Sequence, residues 1–89
     1  MQITIYSKNN CPSCFAAIHM AQQLVQESTN QLVVEKIDEN EAAKNTLLTE
    51  VPHAKSVPQI FIDGRHIGGL NEFVAWKEQT NGGALQLIT

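Results

Sequence analysis

Positive charge is scarce in this sequence: six Lys and Arg stand against nine Asp and Glu, for a formal net charge of −3. The six are scattered singly, so no basic stripe or block offers itself to a phosphate backbone or an anionic lipid surface, and neither nucleic acid nor a membrane is expected as a partner. Long apolar runs are missing too. Nothing approaches the roughly 18 continuous apolar residues of a membrane-spanning helix. Met1 leads straight into an alternating segment without the charged start, apolar stretch and cleavage site of an export signal, so a cytoplasmic protein is expected. Cysteine is limited to two residues, too few for a secreted disulfide scaffold, and a closely spaced pair in a reducing compartment points to redox or metal chemistry. Repeats, linkers and low-complexity stretches are absent, and 89 residues suit a single domain over 1–89 with one core and one site.

What is present reads as alternating strands and helices. Ile3 and Ile5 alternate with Gln2, Thr4 and Tyr6, which predicts a strand over Gln2–Ser7. Lys8-Asn9-Asn10 reads as a loop, and Pro12 suits a first helical position, where its missing N–H costs nothing. Phe15, Ile18, Ala21 and Val25 then recur at helical spacing, predicting a helix from about Pro12 to Glu27. Leu32–Asp38 is an apolar, β-branched run suited to a mostly buried strand parallel to the first. Asp38 or Asn40 is placed to cap a second helix over Glu41–Glu50, with Ala43, Leu47 and Leu48 inward. Gln59–Asp63 reads as a third strand, Asp63-Gly64 as a hairpin turn and Arg65–Ile67 as the start of a fourth strand. Leu70–Thr80 carries a third amphipathic helix through Leu70, Phe73, Val74 and Trp76–Lys77, stopped by Asn81-Gly82-Gly83. Ala84–Thr89 fits either a last helical turn or a tail. The predicted class is α/β: a four-stranded mixed sheet flanked by helices, βαβ and then ββα.

Within that order, Cys11-Pro12-Ser13-Cys14 falls at the junction of the first strand and the first helix. Cysteines three apart on a helix have a Cα separation within the about 4.4–6.8 Å that a disulfide accepts, so the pair can open and close with little backbone movement. Cys11 at the helix N-terminus meets free N–H groups and the positive end of the dipole, which stabilise a thiolate. It is the expected nucleophile, with Lys8 adding positive charge nearby. Cys14 lies one turn inside and is the expected resolving thiol. The competing reading of the same residues is half a zinc site completed by two of His19, His53 and His66, but those histidines lack the close pairing a zinc finger needs.

Lys8, the CPSC run, Ser56-Val57-Pro58 and Ile67-Gly68-Gly69, in this order and spacing, make the sequence resemble the glutaredoxins over all but its last six residues. The resemblance implies a thioredoxin-like fold and a redox-active disulfide Cys11–Cys14. It also implies glutathione as co-substrate, with no metal. The family usually has Tyr where Ser13 stands and Thr where Ser56 stands. By the same resemblance the Val57–Pro58 bond is cis, and the Val57 backbone pairs with the cysteinyl unit of glutathione.

Gly68-Gly69 before a helix also makes physical sense as a carboxylate site, since residues without Cβ let a ligand approach free N–H groups. The resemblance makes Gly69, Leu70, Asn71 and Glu72 the γ-glutamyl end of the glutathione site, although Glu72 equally fits a capping box with Gly69 as N-cap. The resemblance also places Lys8 and Lys55 at basic family positions suited to the glycyl carboxylate, Ser13 beside the tripeptide, and Asn45 near a polar ligand position of the second helix. Leu70, Phe73 and Trp76 fit core and rim packing as well.

The expected activity is glutathione-dependent reduction of protein disulfides and glutathione mixed disulfides by a monomer. Ribonucleotide reductase is one target the resemblance implies. Two alternatives carry different expectations: a carrier in which two chains and two glutathiones hold a two-iron two-sulfur cluster, which Pro12 disfavours by stiffening the turn, and a reductant fed by thioredoxin reductase. Retention of Lys8 and Gly68-Gly69 speaks for glutathione.

Overall fold

The computed structural model describes residues 1–26 and 30–88. Its elements run β1 (Gln2–Ser7), α1 (Pro12–Leu24), β2 (Gln31–Lys36), α2 (Glu41–Glu50), β3 (Gln59–Ile62), β4 (Arg65–Gly68) and α3 (Leu70–Ile88). Alternate residues of β1 point to opposite faces, and both faces are covered. Ile3 and Ile5 enter one core with Ala17 and Ala21 of α1, Ile60 and Ile62 of β3, and Phe73 of α3. Tyr6 enters a second core with Ala43 and Leu47 of α2 and Phe61 of β3. A strand that needs cover on both sides belongs inside a sheet with helices on each face.

The sheet order is β2-β1-β3-β4. β1 pairs parallel with β2, bringing Ser7 opposite Lys36, and antiparallel with β3. β3 and β4 form an antiparallel hairpin with a register shift between Ile60 and Phe61. This is the four-stranded mixed sheet with three helices, thioredoxin-like, that the sequence leads one to expect.

Several boundaries and faces differ from the sequence reading. α1 ends at Leu24, where the Asn30 side-chain amide donates to the Leu24 carbonyl at 3.0 Å and closes the helix; the expected end at Glu27 lies outside the described residues. The buried stripe of α1 is Cys14, Ala17 and Ala21, and Phe15, one step round the helix, is 58% exposed. Small alanines let α1 close on the sheet, where a phenyl ring would hold it off.

β2 is half-buried along its centre rather than mostly buried, because it is an edge strand, and it stops at Lys36. Asn40, not Asp38, caps α2, accepting from Ala43 N–H at 3.1 Å. Leu48 is exposed rather than inward.

Asp63 leaves β3 and joins Gly64 in the hairpin turn, both at positive φ (51° and 83°), as the tight hairpins compatible with strand twist require. α3 does not stop at Asn81-Gly82-Gly83 but runs to Ile88. Glycine costs helix stability, about 1 kcal/mol against alanine, without removing a backbone donor, and Ala84-Leu85-Gln86-Leu87 are strong helix formers. Thr89 lies outside the described residues.

Tyr6 packs edge-on against Phe61, ring centroids 5.6 Å apart. Burial raises its phenol above the ordinary value of 10.0, and Glu35 and then Glu50 push in the same direction. The fold therefore favours neutral Tyr6. Its contribution to stability is fully present below the unfolded value and is lost as pH rises through the raised folded one. Tyr6→Phe should flatten the alkaline fall in stability, followed by urea unfolding from about pH 8 to about pH 11. A variant that loses stability as steeply as the parent over that range would assign the effect to another group.

Candidate functional site

The chain leaves β1 through Lys8-Asn9-Asn10, and Asn10 turns it with a left-handed φ of 57°, a conformation asparagine tolerates better than most residues. The loop is tied to the end of β2. Asn9 N–H donates to Asp38 Oδ2 at 2.9 Å, its side-chain amide donates to Glu39 Oε2 at 2.6 Å, and Lys36 Nζ donates to Asn9 Oδ1 at 3.1 Å. With the loop fixed, Cys11 takes the N-cap of α1 in extended conformation and Pro12 the first helical position.

Cys11 and Cys14 form a disulfide with Cα atoms 5.2 Å apart. Three groups surround Cys11 Sγ: Cys14 N–H donates to it at 3.3 Å, Ser13 Oγ lies at 3.6 Å, and the Val57 carbonyl oxygen lies at 3.7 Å. Cys11 is 5% exposed and Cys14 0%. The order of exposure is as expected, but Cys11 is far more covered than a residue before proline at a helix start suggests, because the loop carrying Val57 lies against it.

That loop joins the other motifs to the cysteines. The Val57–Pro58 bond is cis, in keeping with the resemblance, and Pro58 is buried. A Cβ built on Gly69 would stand 3.5 Å from the Pro58 carbonyl oxygen, so the Gly68-Gly69 corner lies against the same loop. Gly69 N–H donates to Glu72 Oε1 at 2.7 Å. The capping box is thus the reading of Glu72 realised here, and that N–H is occupied, whereas the sequence reading left it open. Helix geometry leaves the N–H groups of Leu70 and Asn71 without intrahelical acceptors. Leu70 itself is half-buried against the first core.

On the other side of Val57, Lys8, Lys44 and Lys55, half of the six cations of the chain, line an open cavity of about 220 Å³ floored by Ile37, Leu47 and Leu48. Sequence reasoning passed over Lys44, although it stands three residues before Leu47 and so shares its side of α2. Asn45 lines a separate hollow with Asp38 and Glu41. His19 bonds Gln23 at 3.2 Å and His66 bonds Gln59 at 2.7 Å. Among the described residues no group of three His, Cys, Asp or Glu is placed to hold a metal ion.

A model of the Glutaredoxin family matches residues 3–67. The chain belongs to the glutaredoxin family. Glutaredoxin 1 of Escherichia coli is 33% identical over 81 residues, covering 89% of this chain and 95% of that protein. The solved structure of reduced Escherichia coli glutaredoxin superimposes with a TM-score of 0.72 at 35% identity, over 91% of this chain and 99% of that one. A buckwheat glutaredoxin–glutathione complex superimposes at 0.61 with 25% identity, over 90% of this chain and 69% of that one. As a glutaredoxin the protein is a thiol–disulfide oxidoreductase, and its redox-active pair Cys11–Cys14 stands in the oxidised state. No helix among the described residues is long and apolar enough to cross a membrane.

Gly68 has φ 131°, and a Cβ there would meet Glu72 Cγ at 2.8 Å, whereas Gly64 has φ 83° with nothing within 4 Å. Gly68→Ala should therefore destabilise by about 2–3 kcal/mol and Gly64→Ala by about 1 kcal/mol, measured by denaturant unfolding. Equal losses would mean that the contact with Glu72 adds nothing to the backbone term.

Proposed function

We propose that this glutaredoxin draws its electrons from glutathione, reducing protein disulfides and glutathione mixed disulfides with Cys11 as nucleophile and Cys14 as resolving thiol. One observation carries the reading: Cys11 Sγ sits at the N-cap of α1, receives the Cys14 N–H, and lies 3.7 Å from the Val57 carbonyl beside the cis-proline. A thiolate there has the helix terminus to stabilise it, and a strand-like ligand laid along Val57 brings its sulfur to the nucleophile. The lysine-lined cavity suits the glycyl carboxylate at one end, and the N–H groups that open α3 suit the γ-glutamyl carboxylate at the other. That the buckwheat relative was solved as a glutathione complex supports glutathione as the ligand.

In the reaction, Cys11 thiolate attacks the glutathionyl sulfur of a mixed disulfide. A Cys11–glutathione bond forms, the substrate S–S bond breaks, and the substrate leaves as a thiolate that takes a proton from water. A second glutathione thiolate attacks the glutathionyl sulfur, giving glutathione disulfide and freeing Cys11. With a protein disulfide, Cys14 attacks the Cys11–target bond instead. The 5.2 Å Cα separation lets it do so without rearranging the helix. The protein is proposed to work in the cytoplasm as a monomer, with ribonucleotide reductase among its targets.

Cys11→Ser should abolish both reactions. Cys14→Ser should retain turnover of a small glutathione mixed disulfide while losing direct reduction of a protein disulfide and accumulating a Cys11–target adduct, read by mass spectrometry. Glutathione with its reductase should sustain the parent, and thioredoxin reductase should not. Turnover with thioredoxin reductase alone would overturn the choice of electron donor, and loss of both reactions in folded Cys14→Ser would overturn the division of roles.

A further inference from the structure

Around Cys11 Sγ the polar groups do not all favour the same charge. The Val57 carbonyl oxygen at 3.7 Å presents negative density and suits a protonated thiol, while the Cys14 N–H at 3.3 Å suits an anion. The third neighbour decides the balance, and it is a residue the family fills differently. Ser13 Oγ lies 3.6 Å from Sγ. A disulfide sulfur carries no proton, so the hydroxyl is the donor in that contact. Ser13 is half-buried on the first turn of α1, which limits the water competing for the same sulfur.

We propose that the Ser13 hydroxyl is a catalytic group, donating a hydrogen bond to the Cys11 sulfur that strengthens as the sulfur becomes a thiolate. The proposal rests on Cys11 being the nucleophile and names the residue of this chain that tunes it. A hydroxyl rotates freely and can donate or accept, so Ser13 follows the sulfur through its states without backbone movement. It acts twice in each cycle. Before attack it holds the thiolate. When glutathione thiolate displaces Cys11 from the mixed disulfide, Sγ keeps the electron pair of the breaking bond and the hydroxyl donates to the charge that develops there, and a stabilised thiolate is the better leaving group.

The ionisable groups on the segments that meet at the sulfur include Cys14 on the same helix, Lys8 on the loop before it, Lys55 on the loop that carries Val57, and Glu72, held by Gly69 N–H at the start of α3. A substitution at position 13 leaves all of them in place.

The test is the pH profile of iodoacetamide reaction with the fully reduced protein, with Cys11 and Cys14 followed separately by mass spectrometry. Ser13→Ala should move the Cys11 inflection upward by about one pH unit, the size expected when a hydrogen bond to a charged group is lost. Ser13→Thr should keep it near the parent value, because the hydroxyl is restored. Alanine is the better helix former, so Ser13→Ala is expected to fold, and thermal unfolding checks this; the threonine variant supplies an independent arm. A low parent inflection left in place by Ser13→Ala would overturn the role of Ser13 while leaving Cys11 as nucleophile. An upward shift in both variants would assign the effect to packing and overturn the proposal equally. An unperturbed Cys11 in the parent would overturn the thiolate reading together with this one.

Discussion

A sulfur stands where helix α1 needs an acceptor. The first turn of any helix leaves N–H groups unpaired, and the cap here is Cys11 Sγ, accepting from Cys14 N–H at 3.3 Å, where most helices use the oxygen of Ser, Thr, Asp or Asn. A neutral sulfur accepts weakly. An anionic one forms a charge-assisted bond and also meets the positive end of the dipole. The same contact that starts the helix therefore favours an anion on the residue that caps it, and the proposed role of Cys11 as nucleophile draws on the local need to close a helix terminus.

The rest of the fold delivers that sulfur. β1 is buried on both faces and cannot slip by one residue without exchanging its two cores. Its parallel register with β2 sets Ser7 beside Lys36, so the residues that follow the two strands, Asn9 and Asp38, emerge side by side and bond at 2.9 Å. Asn10 and Pro12 then leave the chain one way to enter α1. The site forms beyond the carboxyl ends of two parallel strands, where helix N-termini and loops converge, the usual place for ligands in sheets of this kind.

Period-two and helical patterns made the element order legible, as did the cysteine spacing, the hairpin at Asp63-Gly64 and the motifs behind the family resemblance. Features that depend on two distant segments were not. Phe15 and Leu48 fit an apolar helical stripe on paper, yet which residue of a stripe faces inward depends on how near the sheet lies, and the alanines at 17, 21 and 43 bring the helices too close for either. Asp38 and Asn40 are equivalent capping candidates until the loop at Asn9 claims Asp38. The covering of Cys11 needed the position of a loop 46 residues away. Lys44 was legible through its spacing from Leu47, but only a cavity gives that spacing meaning.

Some of the polar groups at this site are already engaged. Gly69 N–H holds Glu72, and Cys11 Sγ holds Cys14 N–H and Ser13. A carboxylate arriving at the start of α3 finds the Leu70 and Asn71 N–H groups without intrahelical acceptors, but it also meets Glu72, whose charge opposes its own. The cavity beside Val57 is lined by three lysines and by no carboxylate, although Lys44 also borders the hollow of Asp38, Glu39 and Glu41. On the proposed function, the attraction for an anionic peptide ligand would be unequal along its length, with more positive charge at the cavity end than at the α3 end. Such an arrangement would orient that ligand through one charged terminus and hold the other more weakly. That suits a reaction in which the product must leave before the next thiol can approach the same sulfur.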